Sequence, residues 1–202
     1  MRAGYDAAFP VSASWSLEFA PVNVSVLFVQ RDGNEHYVIG SHTWFFEELA
    51  RALAEVREVY PWRVASHLIP PEREPFVWQT IFRDQHLHNV EHAPVLPDGQ
   101  RMLVTQRFLP RVHVDTVPRE WAVEGNNAEL IDALNGYRVK EVPGQSNVFS
   151  MNVLGSHEQY LTRALEHYAA HDFLNPPGDA WGPAPNYAAH DRAVIAAGSK
   201  RR

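Results

Sequence analysis

The 202-residue chain contains no cysteine. It therefore forms no disulfide and offers no thiolate to a metal ion, in keeping with a cytoplasmic origin. No apolar run approaches the roughly 18 residues that a membrane-spanning helix needs. The opening MRAGYDAAFP lacks the long apolar stretch of a secretory signal. No G-x-x-x-x-G-K-[ST] stretch exists to cradle phosphates, and no G-x-S-x-G stretch to present a serine nucleophile. Positive charge is also scarce. Lys and Arg total 18 against 24 Asp and Glu, for a net charge of -6. That balance argues against coating nucleic acid by bulk electrostatics, while leaving room for a local basic patch.

What is present is an ordinary globular composition. Hydrophobic residues make up 45% of the chain, enough for one domain with a substantial core. Eleven histidines forecast behaviour that changes between about pH 5 and pH 7. In VSASWSLE, residues 11 to 18, Val11, Ala13, Trp15 and Leu17 alternate with Ser12, Ser14, Ser16 and Glu18. This is a strand with two unlike faces. VSVLFVQ and EHYVIGS, joined through RDGN, read as a hairpin turning at Asp-Gly. From Trp44 to Val59 the apolar residues Trp44, Phe45, Leu49, Leu53 and Val56 follow helical spacing until Pro61. Trp62 to Ile69 then reads as a strand closed by Pro70 and Pro71. A strand, a helix and a further strand suggest a parallel crossover.

Beyond it, residues 76–86 read as a short helix and 87–93 as a short strand. Asp98 to Leu109 reads as a helix with Met102, Leu103 and Phe108 inward. Residues 111–114 are β-like. Asn127 to Tyr137 reads as a helix aligning Leu130, Leu134 and Tyr137, and 147–153 is ambiguous. In GSHEQYLTRALEHY, residues 155 to 168, Ser156 and Gln159 have the form of a capping box. Tyr160, Leu161, Ala164, Leu165 and Tyr168 then mark one buried helical face. After residue 171 the composition turns to Pro, Gly and Ala. The expected division is a domain over 1–171 and an extended tail over 172–202.

The order of these elements, three strands, a helix, a strand and a closing helix, is that of the ribonuclease-H-like fold. YDAAFPVSASWSL, FVQRDGNEHYVI, ASHLIPPE, RVHVD, ELIDALNGYR and GSHEQYLTRAL, in this order over residues 5 to 170, resemble the nuclease domain of tailed-phage terminase large subunits. The resemblance implies an α/β fold. Its mixed sheet has an antiparallel three-strand meander plus parallel strands, flanked by helices. It also implies DNA cutting, in which carboxylates hold two divalent metal ions that activate a water and stabilise the leaving oxygen. The family's three acidic positions fall here on Ser16, Glu72 and Tyr160. One of the three keeps a carboxylate. A displaced set of Glu18, Glu72 and His157 is the fallback, because Glu18 follows Ser16 on the same strand face. Glu158 lies about 200° around the helix from Tyr160 and points away.

The expectation is therefore a catalytically inactive, phage-derived relative that acts by binding, with neither metal nor cofactor. Its partner would be a packaging or virion component, or DNA. The setting is the bacterial host cytoplasm or the virion, with self-association through the tail as a further option. The alternatives are an active endonuclease using Mg or Mn, and a virion structural protein that keeps only the fold. HLHNVEH offers His86, His88, Glu91 and His92 as metal ligands, against a plain polar segment. Arg101, Arg107, Arg111 and Arg119, with the KRR terminus, offer a basic edge, against an ordinary solvated face.

Overall fold

The structure is a computed structural model. It describes residues 5–19, 22–45, 51, 53, 54, 63–70, 89–117, 127–136, 139–141, 149–153 and 159–176. Its strands are β1 (Val11–Phe19), β2 (Val22–Asp32), β3 (Glu35–Phe45), β4 (Val64–Ile69), β5 (Val90–His92), β6 (Val112–Val114), β7 (Val139–Glu141) and β8 (Phe149–Val153). Its helices are α1 (Asp98–Phe108), α2 (Ala128–Gly136) and α3 (Gln159–Leu174). Six strands form one sheet in the order β5-β4-β1-β2-β3-β6, and β7 and β8 pair separately. β1, β2 and β3 are antiparallel neighbours. β4 runs parallel to β1, β5 parallel to β4, and β6 parallel to β3. This is the mixed sheet that the sequence forecasts, including the parallel pairing of β1 with β4. Among the described residues no helix is long and apolar enough to cross a membrane.

The hairpin closes where Asp-Gly stands. Asp32 pairs with Glu35, and Gly33 between them takes φ +58°. A tight hairpin turn needs that left-handed backbone, and glycine adopts it without strain. β3 runs on to Phe45, so Trp44 ends a strand and does not open a helix. Trp44 pairs with Val24 and stacks on Trp15 at 6.4 Å between ring centroids. β-prone Thr43, Trp44 and Phe45 extend the ladder; within the expected helix, Arg51, Leu53 and Ala54 are helical.

Both faces of the sheet are buried. On one, Val11, Ala13, Trp15, Val24, Val26, Phe28, Ile39 and Ile69 form a core with Trp44 and Leu53. On the other, Leu27, Val29, Val38 and Leu68 meet Val104, Phe108, Leu130, Leu161, Leu165 and Tyr168 from the three helices. α1 turns a different side inward from the one its sequence suggests. Phe108, Thr105 and Val104 are buried, whereas Leu103 is 39% exposed. Leu103 is five residues from Phe108, about 140° around the helix, so the two cannot share a face.

His67 lies in the first core. Its Nδ1 accepts a hydrogen bond from Trp15 Nε1 at 3.3 Å, and burial lowers its pKa from 6.5 to about 4. The unfolded chain therefore binds a proton more readily than the folded one. This contribution to stability is complete above pH 6.5 and is lost as the pH falls toward 4. His67 alone is expected to remove about 2 kcal/mol between pH 7 and pH 5. In urea titrations at the two pH values, His67→Gln should lose that difference while keeping an acceptor for Trp15.

Candidate functional site

Ser16, expected from motif order to match the family's first acidic position, is on β1. It is fully buried and pairs across the ladder with Ser25, whose Oγ lies 2.9 Å from Thr43 Oγ1. Ser14 and Ser16 on the polar face of β1 are thus covered, while Ser12 is half-buried. α3 is the roof. Ser14 Oγ donates to the carbonyl of Ala164 at 2.7 Å, and the ring Nδ1 of buried His167 lies 2.9 Å from the Trp15 carbonyl. Small hydroxyl side chains permit this close approach of helix to strand and satisfy backbone groups at the contact.

That contact fixes the level of Tyr160. Two residues of strand advance about 6.6 Å, and four residues of helix about 6 Å. Ser12 and Tyr168 line one cleft, and Ser14 meets Ala164, so α3 runs antiparallel to β1. One further step brings the backbone of Tyr160 to the level of Ser16. β4 ends at Ile69 beside them, its Leu68 in register with Ser14. Residues from β1, from the end of β4 and from the start of α3 are thus directed to one end of the sheet. That is where open α/β sheets commonly place ligands. Glu72, Ser156 and His157 lie outside the described residues, and so do the side chains of Glu18 and Tyr160.

The donor set decides what the β1 position can hold. Hard divalent cations take charged oxygen ligands. Ser16 offers a neutral hydroxyl and no open face, which does not fit the carboxylate position of a two-cation site. Among the described residues no group of three or more His, Asp or Glu stands ready for a metal ion. Of the histidine-rich segment, His86 and His88 lie outside the described residues. Glu91 and His92 are on β5, and Glu91 Oε2 meets His171 Nε2 of α3 at 3.2 Å. Of the expected basic edge, Arg101 and Arg111 are engaged inside the molecule, and the KRR end lies outside the described residues. Arg101 Nε lies 3.1 Å from Glu166, which also holds Arg163 at 2.8 Å. Arg111 faces Asp172 at 3.5 Å. Arg107 is exposed, and Arg119 lies outside the described residues.

No protein-family model and no curated protein matches the chain. Solved structures do. The large terminase nuclease of thermophilic phage G20c superposes with a TM-score of 0.58 at 11% identity, over 84% of this chain and 86% of that one. The nuclease domain of the SPP1 large terminase, solved with bound Mn, gives 0.57 at 13% identity, over 81% and 86%. The large terminase of phage D6E gives 0.56 at 9% identity over 83% of this chain, which spans 41% of that longer one. The fold is that of a terminase nuclease domain. It is ribonuclease-H-like, and at these identities the likeness speaks for architecture alone.

Sequence reasoning missed Asp172, the most heavily engaged carboxylate among the described residues. It is 2% exposed in the last turn of α3, and Arg31 Nη1 approaches it at 3.0 Å. Nearby, burial and then the charge of Asp172 push the Tyr168 phenol well above its usual range. It therefore stays neutral beside His36, 3.3 Å away. The signal for this cluster was faint: one acid in a helix end that composition assigned to a tail.

Proposed function

We propose that the chain is a catalytically inactive terminase-nuclease-like protein that acts by binding. The observation that supports this reading is Ser16, a neutral, fully buried side chain where motif order sets the family's first acid, at the level of Tyr160 on α3. Without metals, clustered carboxylates repel one another and bear a desolvation cost, so a serine and a phenol are the more stable occupants. The partner is a packaging or virion component, or DNA, in the host cytoplasm or the virion. Its contacts lie on surfaces other than the roofed face of β1.

Incubated with plasmid or linear DNA and Mg²⁺ or Mn²⁺, the protein is expected to leave the DNA intact. Titration calorimetry with Mn²⁺ is expected to register no tight binding. Cutting that disappears in Glu72→Ala or Glu18→Ala would overturn the proposal in favour of a nuclease with displaced ligands, using Glu18, Glu72 and His157. Cutting that survives both changes comes from a contaminant. Sedimentation of the full chain against a form ending at Asn175 tests whether residues 176–202 carry self-association.

A further inference from the structure

Four elements converge on one carboxylate at the end of α3 remote from Tyr160. Arg31 of β2 stands 3.0 Å from Asp172 Oδ1. Arg111, which follows α1, and His36 of β3 stand 3.5 Å and 3.6 Å from Oδ2. Tyr168, one turn earlier on α3, meets His36 Nδ1 with its hydroxyl. Phe108 of α1 packs on His36 at 4.5 Å between centroids and lies under the Arg111 guanidinium. His113 of β6 is the remaining titratable group whose charge acts on His36. Two guanidinium groups face one carboxylate, so the cluster carries an excess positive charge while His36 is still neutral.

His36 is completely buried. A proton placed on it sits among Arg31, Arg111 and His113; among the described residues Asp172 is the anion beside it, and Glu35 is held by His113 at 2.6 Å. Asp172 Oδ2 is at once shared with Arg111 and too distant for a hydrogen bond. The strands cannot yield cheaply, because Arg31 and His36 pair with each other in the β2–β3 ladder. The helix end can. Asp172 is two residues from the last residue of α3, and Leu174, Asn175 and Pro176 are exposed. Unwinding one terminal turn admits water to the cluster and leaves the sheet intact.

We infer that the last turn of α3 is an acid-sensitive latch, in which protonation of His36 parts Asp172 from Arg31 and Arg111 and lets the helix end leave the sheet. Burial first, then Arg111, Arg31 and His113, hold the closed-state pKa of His36 at about 3, against an ordinary 6.5. Opening therefore takes up one proton across the interval between these values. The opening constant rises toward tenfold for each pH unit of acidification below 6.5, or about 50-fold from pH 6.5 to pH 4.5.

Hydrogen exchange on the full chain, corrected for the intrinsic pH dependence of amide exchange, reads this directly. The amides of residues 170–174 are expected to gain about 50-fold in opening over that interval, while β1 amides stay better protected. His36→Gln should abolish the gain, and His67→Gln should leave it in place. If the helix-end and β1 amides open together at every pH, or if His36→Gln keeps the full gain, the latch does not exist. Should His36→Gln not fold, the wild-type imidazole decides by NMR. A ring silent above pH 5 supports the latch, and an ordinary titration near 6.5 overturns it.

Discussion

Asp172→Ala is expected to destabilise the protein by about 3 kcal/mol, the lower part of the range for breaking a buried ion pair. For a chain of this size that lowers the melting temperature by roughly 10 °C. The loss comes less from the missing attraction than from what remains. Arg31 and Arg111, with side chains 28% and 16% exposed, keep their charges where water reaches them poorly and the carboxylate they share is gone. Replacing all three charges with apolar groups, as in Arg31→Met, Arg111→Met and Asp172→Leu together, should recover most of the stability. A triple variant as unstable as Asp172→Ala would mean that the ion pairs themselves supply the stabilisation. Glu166→Gln is the internal comparison. Its partners Arg101 and Arg163 are 15% and 32% exposed, much as Arg31 and Arg111 are, but its own side chain is 7% exposed against 1% for Asp172, and a neutral amide still accepts from both, so about 1 kcal/mol is expected.

The sequence carries the sheet more clearly than it carries the surroundings of the site. Strict alternation over Val11 to Glu18 and an Asp-Gly turn are local signals, and each became the element it announced. Alternation also identifies the serine face of β1 as polar. It does not say whether a polar face meets water or a helix, and here Ser14 and Ser16 lie beneath α3. Trp44 misleads because an aromatic residue at a strand end and at a helix start has the same local spacing. Leu103 misleads because α1 has two adjacent apolar stripes, and only packing against β3 and α3 selects Val104 over it. The Asp172 cluster draws on Arg31, His36 and Arg111, residues up to 141 positions distant. No local pattern joins them. Motif order sets the expected family positions on Ser16 and Tyr160, and strand and helix rise bring these two backbones to one level.

Ser16→Asp is expected to be as costly as the loss of Asp172, and it asks whether a cation cleft survives beneath α3. At pH 7 an aspartate at this buried position must either ionise without an adequate counter-charge or stay protonated with a raised pKa, and the expected loss is about 3 kcal/mol. The sign of the pH dependence follows. The folded-state pKa exceeds the unfolded value near 3.9, so the variant approaches wild-type stability at low pH and falls behind it as the pH rises. Adding Tyr160→Asp places a second carboxylate at the same level, and like charges deepen the loss. Mn²⁺ at millimolar concentration then separates two histories of the site. If α3 has settled onto β1 and filled the cleft, the double variant melts at the same temperature with and without the ion. If the acids were lost from a cleft that kept its shape, Mn²⁺ bound by the two carboxylates restores several degrees, because a ligand that binds the folded state alone stabilises it in proportion to the logarithm of its saturation. The close Ser14 to Ala164 contact favours the first outcome. A clear rise in melting temperature with Mn²⁺, absent with the wild-type protein, would show that the roof over Ser16 opens far enough to admit a metal ion.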